Sequence, residues 1–363
     1  MFENDHRIVM TLDAGGTNFV FSAIRGCQEI VEPIRMDAVN DDVERCLGVL
    51  VDGFRKVESM LDEKPVAISF AFPGPADYSA GVIGDLPNFP CFRGGVAMGP
   101  FLSGTFGIPV FINNDGNLFA YGEALAGKLP ELNSALKAAG STKTYSNLIG
   151  VTLGTGFDGG VVIDGRLLSG DNGCGGDVWL MRNALHPGKI AEESVSIRAV
   201  RRVYGELAPE DNRNLTPKDI FDIAEGNAEG NRMAAIGAFE ELGRVAGDAI
   251  VHALDIVDGI VVVGGGLSGA ASYILPAMVR EMERDFSTFG GDSFHCLQQE
   301  VLNLETEKGM ARFLEDDSTL VEVPGTGEKV RYNHRKKIGV ALTGIGTSRA
   351  ISLGAYAFAL SHV

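Results

Sequence analysis

The stretch Ile8-Val-Met-Thr-Leu-Asp-Ala-Gly-Gly-Thr-Asn-Phe-Val-Phe-Ser-Ala-Ile24 places a glycine-rich turn between two apolar segments. Two strands joined by the turn fit this stretch better than a strand followed by a helix, because Phe19, Val20 and Phe21 favour a strand after the turn. The glycines leave room for a phosphate to approach the backbone, a carboxylate could hold Mg²⁺ through water, and a threonine hydroxyl could bond a phosphate oxygen. An ordinary hairpin turn is the alternative. The candidate nucleotide-binding residues here are Asp13, Gly15, Gly16 and Thr17.

The same pattern occurs a second time further along the chain. Leu148–Leu153 and Gly159–Ile163 predict strands, and Gly154, Thr155 and Gly156 form the turn between them. We therefore expect one copy of the pattern in each of two lobes. Two such turns facing each other could clamp a triphosphate. Neither turn is a P-loop, since no Gly-Lys-Ser/Thr follows it. A third glycine run, Gly264, Gly265 and Gly266, follows a predicted strand at Ile260–Val263 and opens the next helix, which close strand–helix packing explains equally well.

Asn114 and Asp115 lie between a predicted strand at Ile108–Ile112 and a predicted helix at Leu118–Ala126. Transfer of a phosphoryl group to a hydroxyl needs one positioned carboxylate to accept the proton. Asp115 is the candidate, because the end of a strand is where catalytic residues collect. Capping of the helix is the alternative, since Asn and Asp are common N-cap residues.

Composition limits the classes of function. The chain has 363 residues, which suggests two lobes, and its formal charge of −17 disfavours nucleic acid as the main partner. Five dispersed cysteines without a Cys-x-x-Cys pair, together with a polar N-terminus, predict a reducing, cytoplasmic location. Two uncharged stretches, Gly94–Asn114 and Gly259–Val279, are interrupted by prolines and glycines, so no membrane span is expected.

Taken together, these segments resemble the ROK family of bacterial sugar kinases, repressors and related proteins, from about Ile8 to Leu360. Asp13–Asn18 is similar to the family's first phosphate loop, Leu153–Gly156 to the second, and Val263–Gly266 to the adenosine loop. The catalytic stretch is matched by Asn113–Asn117, and the sugar-side segments by Phe72–Ala76, Gly81-Val82 and Leu86–Pro90. The resemblance implies an α/β, two-lobed actin-like ATPase (ribonuclease H-like) fold with mixed sheets.

The sequence departs from the family's pattern in two places. Asp177 stands at the position of the family's Glu and Leu180 at that of its His, and the family's zinc-binding cysteine loop is replaced by His186–Glu192. A closed zinc site needs four ligands, so none is expected. Glu192 aligns best with the family's sugar-binding Glu, and Glu193 is the alternative register. Asp158 replaces a usual glycine in the second phosphate loop and adds negative charge there.

The resemblance implies a kinase that uses ATP and Mg²⁺ to phosphorylate a hexose or hexose derivative at a primary hydroxyl, at C6. Asp115 would be the base, Asp13 would hold Mg²⁺ through water, and the three glycine turns would hold the nucleotide. The implied sugar ligands are Gly74, Asn88, Asn114, Asp177 and Glu192.

The expected partners are therefore a sugar and ATP, with no nucleic acid or membrane, and a homodimer is possible because family members are commonly dimers. The expected lobes are 1–115 with a closing helix at 346–363, and 116–345 with a polar insertion at about 298–337. Two alternatives stay open. One is a catalytically weak regulator that binds a sugar or nucleotide on the same fold, and the other is a kinase for a different acceptor, such as an amino sugar.

Overall fold

The computed structural model describes residue 2 and residues 4–15, 18–84 and 90–363. The chain forms two compact units. Unit 1 comprises Met1–Gly127, Gly159–Gly176 and Gly344–Val363, and unit 2 comprises Lys128–Asp158 and Asp177–Thr343.

Unit 1 is an α/β unit. Its strands before residue 127 are β1 (Val9–Ala14), β2 (Asn18–Arg25), β3 (Gln28–Glu29), β4 (Ile34–Asp37), β5 (Ala67–Ala71), β6 (Ala76–Asp77), β7 (Val82–Ile83) and β8 (Val110–Asn113). Its helices there are α1 (Val43–Ser59), α2 (Met98–Phe106) and α3 (Asp115–Ala126), with a short 3₁₀ helix at Pro90–Phe92.

Unit 2 follows with α4 (Lys128–Ala138) and β9 (Leu148–Leu153), and the boundary between the units falls within β10 (Phe157–Ile163). In unit 1, β10 turns at Asp164-Gly165 and pairs with β11 (Arg166–Leu167). The helices of unit 2 continue with α5 (Ile197–Leu207), α6 (Pro217–Glu225), α7 (Arg232–Val257), α8 (Ala271–Met282) and α9 (Glu307–Leu314). Its later strands are β12 (Ile260–Gly264), β13 (Asp285–Ser287), β14 (Ser293–His295), β15 (Glu300–Asn303), β16 (Ser318–Glu322), β17 (Lys329–Asn333) and β18 (Lys337–Leu342). The last helix, α10 (Thr347–Leu360), returns to unit 1.

The main sheet of unit 1 has the strand order β3-β2-β1-β5-β8, and β4 also pairs with β2. The predicted β1–β2 pair is an antiparallel hairpin, whereas β1, β5 and β8 run parallel. Because successive side chains of a strand face opposite sides, Met10 packs with the α1 and α2 core while Val9 packs against α10. Both faces of the central strands are therefore covered by helices.

Helices α3 and α10 approach each other through glycine. A Cβ on Gly122 would overlap the carbonyl oxygen of Ala350, and a Cβ on Gly354 would overlap that of Leu118. The two helix backbones are therefore in direct contact. This packing places α3 in unit 1, whereas the predicted lobe boundary after Asp115 assigns it to the second lobe.

The sheet of unit 2 includes four parallel strands in the order β9-β12-β18-β15. Their central residues are fully buried, which the nearly continuous apolar sequences of β9 and β12 predict. Helix α7 packs on α8, and Gly243 and Gly247 of α7 face carbonyl groups of α8 at distances that leave no space for a Cβ.

The polar insertion predicted at 298–337 is shorter than expected. Val301 and Leu302 of β15 are buried, and this strand pairs in parallel with β18, so its apolar side chains belong to the core beside the sheet of unit 2. Phe313 of α9 is also buried. The segment that projects is the β16–β17 hairpin, whose residues are almost all exposed.

The sequence does not predict helix α2 (Met98–Phe106), since Pro100 and the nearby glycines are typical helix breakers. Pro100 lies in the first turn of α2, where a helix has no hydrogen bond for proline to remove. Across the residues that the structure describes, no helix combines the length and apolar character needed to cross a bilayer.

Candidate functional site

The carboxylates of Asp13 and Asp115 lie near each other in unit 1. Asp13 is in β1, and Asp115 begins α3 directly after β8. Asp13 is exposed as a residue. Desolvation of its carboxylate, and after it the negative charge of Asp115, raise the pKa of Asp13 above its usual range. The two acidic residues singled out from the sequence, 102 positions apart, are therefore close enough for their charges to interact.

The turn after Asp13 is tight. The Gly15 N–H donates to the Asn18 carbonyl at 3.0 Å, and a Cβ on Gly15 would lie 3.0 Å from the same oxygen. The close approach explains why glycine occupies this position. The predicted nucleotide ligands Gly16 and Thr17 lie outside the described residues.

Arg35 is a residue of this region that sequence reasoning missed. Asp13 pairs with Val20 on the neighbouring strand, and Val20 pairs with Arg35 on β4, so the three residues form one row across the sheet. The guanidinium of Arg35 opposes the rise in the pKa of Asp13. Arg35 is thus a cation that strand register alone brings toward the first glycine turn.

An asparagine network holds Asp115 in position. The Asn114 side chain caps α3 by accepting from the Asn117 N–H at 3.0 Å, which is the capping role considered from the sequence. The Asn114 Nδ2 donates to Asp115 Oδ1 at 3.4 Å. Buried Asn113 accepts from the Asn114 N–H at 2.8 Å and from Asn117 Nδ2 at 3.1 Å. The backbone that carries Asp115 is therefore fixed on both sides.

The second glycine turn, in unit 2, is closed by its own backbone. The Gly154 N–H donates to the Gly156 carbonyl at 3.0 Å, and the Ile197 N–H donates to the Gly154 carbonyl at 2.9 Å. Thr155 is exposed at the tip, and Asp158 is half-buried in β10. Helix α5 therefore begins against this turn.

Glu192 lies against the second turn. Its Oε2 accepts from the Phe157 N–H at 3.2 Å, and its Oε1 accepts from Arg198 at 2.7 Å. Gly156 permits this contact, because a Cβ there would lie 2.5 Å from Glu192 Oε2. Glu192, which is predicted to bind the sugar, therefore binds the backbone beside the Gly154–Gly156 turn, which is predicted to bind the nucleotide. It also binds Arg198, a partner that the sequence did not indicate.

The third glycine run, Gly264–Gly266, packs against the residue that precedes the second run, Gly154–Gly156. Gly265 has a φ of +88°, and a Cβ there would overlap backbone atoms of Leu153, the residue before Gly154. Strands β9 and β12 are parallel neighbours, with Gly264 opposite Thr152, so both turns lie at the same sheet edge. Gly266 begins a 3₁₀ helix, and α8 starts only at Ala271, later than predicted. The backbone turn at Gly265 is the physical reason for the delay.

Asn183 organises the segment that stands in place of the family's cysteine loop. Its fully buried side chain donates to Ser194 Oγ at 2.9 Å and accepts from the N–H groups of Leu185 and His186 at 3.0 and 2.9 Å. Ser194 also donates to Glu241 at 3.0 Å. No sequence motif indicated these contacts, which involve separations of up to 47 residues.

Comparison with known proteins identifies the family. The profile of the ROK family matches residues 9–311. The chain belongs to the ROK family. It is 28% identical to the glucokinase of Thermotoga maritima over 76% of this chain and 86% of that one. It is also 28% identical to the N-acetyl-D-glucosamine kinase of Vibrio parahaemolyticus, over 70% of this chain and 83% of the relative.

A solved structure supports the same assignment. The glucokinase of Parabacteroides distasonis is 60% identical, with a TM-score of 0.92 over 100% of both chains. The resemblance to the ROK family and the predicted α/β fold class of the actin-like ATPases are both confirmed.

The remaining predicted residues of this ROK chain are located as follows. Gly74 is exposed between β5 and β6, and a Cβ there would lie 3.2 Å from the hydroxyl of Tyr78. Asp177 is half-buried, and burial raises its pKa while a hydrogen bond with Trp179 opposes the rise. Asn88 lies outside the described residues. Within the described part of the chain, no group of three or more His, Cys, Asp or Glu side chains is arranged to hold a metal ion.

Proposed function

We propose that this ROK chain is an ATP-dependent sugar kinase that phosphorylates a hexose or hexose derivative at a primary hydroxyl, at C6, with Asp115 as the general base. The observation that carries the proposal is the carboxylate of Asp115 at the start of α3, steadied by Asn114 and near Asp13. The relatives named glucokinase and N-acetyl-D-glucosamine kinase support the substrate class.

Asp115 suits the role of a base because its environment keeps it available. It is half-buried at the N-terminus of α3, and its Oδ1 accepts from Asn114 Nδ2, so its carboxylate is held in place at the end of β8. Its proposed task is to orient the acceptor hydroxyl and accept its proton as the oxygen bonds to the terminal phosphorus of ATP, while the bond from that phosphorus to the bridging oxygen breaks and ADP leaves. Asn114 is proposed to bind a second sugar hydroxyl.

The nucleotide is proposed to bind through backbone N–H groups of the glycine turns. Asp13, Gly15, Gly16 and Thr17 would serve in unit 1, and Gly154–Gly156 with Gly264–Gly266 in unit 2. Two neighbouring carboxylates supply the hard oxygen donors that Mg²⁺ prefers, so the residues fit this ion, and Asp13 would hold it through water. When bound with ATP, Mg²⁺ neutralises phosphate charge.

The other proposed sugar ligands are Gly74, Asn88, Asp177 and Glu192. Glu192 can serve only if its carboxylate shares its acceptor capacity with Arg198 and the Phe157 N–H, and an ionised carboxylate has about four acceptor positions.

The proposal is tested by ADP release in a coupled assay with ATP, Mg²⁺ and a panel containing glucose, mannose, fructose and N-acetylglucosamine. We expect at least one sugar to be phosphorylated. Asp115→Ala should then lower kcat by a factor of about 10²–10⁴, because proton transfer from the hydroxyl loses its acceptor. The matched control is Asp52→Ala, which removes an exposed carboxylate of α1 in the same unit.

Two results would contradict the proposal. Near-normal phosphorylation by Asp115→Ala would exclude this residue as the base. Saturable sugar binding without turnover on any member of the panel would instead favour the sugar-binding regulator considered from the sequence.

A further inference from the structure

A cavity of about 640 Å³ lies along the free edge of β8 in unit 1. Its walls come from β8, from the loop 169–173 and from the turn that contains Ser79, and Phe358 and His362 also line it. This volume falls within the range of about 300–1,000 Å³ that is usual for small-molecule sites.

Strand β8 directs some of its backbone N–H and C=O groups toward the cavity, on the edge that does not pair with β5. Ile68 and Phe72 of the β5 side donate to the carbonyls of Pro109 and Asn113, each at 3.0 Å. The odd-numbered residues of β8 therefore face β5, and the N–H and C=O of Val110 and Ile112 face the opposite edge. Among the described residues no strand pairs with that edge. Ile112 is nevertheless only 2% exposed and forms part of the cavity wall.

A buried amide adds an acceptor to the same wall. Asn117 is 3% exposed and lines the cavity, and its Oδ1 accepts no hydrogen bond from any of the described residues. A buried acceptor without a donor destabilises the protein, so a ligand hydroxyl or amide that supplied the donor would bind favourably there.

Part of the cavity wall is aromatic. The ring of His362 lies 4.4 Å from that of Phe358 and 5.5 Å from that of Phe111, measured between centroids. His362 Nδ1–H donates to the Phe358 carbonyl at 2.7 Å, which leaves Nε2 as an acceptor in the neutral ring. An apolar ring face beside an acceptor suits the C–H face and the hydroxyls of a sugar.

The charges of the cavity select against anions. Asp77 and Asp171 contribute carboxylates to the lining, and the described residues of the lining include no Lys or Arg. A hydrogen bond from the Ala80 N–H is the largest of the interactions that lower the pKa of Asp77, so this group stays ionised near neutral pH. A phosphorylated ligand would meet two negative charges without a cation.

We propose that this cavity is a second binding site for a neutral, unphosphorylated saccharide, distinct from the phosphoryl-transfer site at Asp115. The edge groups of Val110 and Ile112, the Asn117 acceptor and the His362 ring would contact its hydroxyls and its apolar face. An extended peptide is less suited, because the four residues of β8 offer only two outward-facing positions.

Equilibrium dialysis of the full chain without ATP tests this inference, with radiolabelled glucose, mannose, fructose and N-acetylglucosamine as separate probes. We expect two bound sugars per chain for at least one probe. Asn172→Trp places an indole in the cavity wall and should reduce the number to one. Cys174→Trp is the matched control, because Cys174 is exposed in the same loop and does not line the cavity.

His362→Ala provides an independent measurement that does not depend on blocking the cavity. Loss of the ring should weaken the second site about two- to tenfold and leave the first unchanged. One bound sugar that Asn172→Trp does not remove, or two in Asn172→Trp with an unchanged Tm, would overturn the inference. A single bound sugar that Asn172→Trp abolishes would place it in the cavity and would count against the sugar site at Asp115, so the two proposals fail separately.

Discussion

Asp13 carries an unfavourable charge in the folded protein. Asp13 is exposed as a residue, but desolvation of its carboxylate and the negative charge of Asp115 raise its pKa. A folded-state pKa above the unfolded value means that ionised Asp13 opposes folding. Such strain is common where a protein must later bind a cation, since the ligand then relieves the repulsion.

We therefore predict that Asp13→Asn raises Tm at pH 7 and lowers kinase turnover. As the pH falls from 7 through the folded-state pKa of Asp13, the wild-type carboxylate becomes protonated and the advantage of the variant should shrink to nothing. Thermal unfolding of both proteins between pH 4 and pH 8 measures this difference.

The control for this experiment is Asp52→Asn, an exposed carboxylate of α1 whose replacement should change stability by less than about 0.5 kcal/mol at every pH. A lower Tm for Asp13→Asn at pH 7 would show that Asp13 stabilises the fold and would contradict the argument.

Two secondary-structure elements, α3 and α10, approach each other closely because Gly122 and Gly354 have no side chain at their contact. This contact positions the helix that begins with Asp115, and it involves residues more than 220 positions apart. Periodicity predicts that both segments are helices, but it does not predict that their backbones meet.

We predict that Gly354→Ala costs about 1–3 kcal/mol in the free energy of unfolding, because its Cβ would overlap the Leu118 carbonyl. Gly48→Ala is the matched control, since Gly48 lies within α1 and has open space at its Cβ position. That substitution should stabilise the protein by about 0.5–1 kcal/mol. Equal effects of the two substitutions in urea unfolding would rule out the close packing.

The segment from 181 to 194 is held by hydrogen bonds around Asn183. We predict that Asn183→Ala lowers the free energy of unfolding by about 1–3 kcal/mol, because buried donors and acceptors lose their partners. Asn212→Ala, at an exposed position, should have little effect.

Dialysis against a zinc chelator should leave Tm unchanged, and a large drop on chelation would show that a metal ion contributes to stability after all.

At the scale of the whole molecule, the formal charge of −17 favours expansion of the folded chain through self-repulsion. Local ion pairs offset part of this repulsion. For example, Arg312 binds Glu300 and Asp317, and Lys337 also binds Asp317. The interactions between distant like charges are the ones that salt screens most.

We predict that raising NaCl from 0.1 to 1 M increases Tm, since the Debye length falls from about 10 Å to about 3 Å and the net repulsion weakens. Differential scanning calorimetry at constant pH checks this. A decrease in Tm would mean that the surface ion pairs outweigh the repulsion between like charges.

The sequence alone predicted the central strands of both main sheets, the glycine turns and the identity of Asp13 and Asp115 as candidate residues. These features depend on side-chain alternation and backbone freedom within about ten residues, so a single stretch contains the necessary information. The tertiary structure alone decided that Arg35 lies in the row of Asp13, that Glu192 contacts the Gly154–Gly156 turn, and that Asn183 organises its segment. Each of these contacts depends on strand register or on packing between segments that are distant in the chain, and many partners of similar chemistry would satisfy the same local pattern.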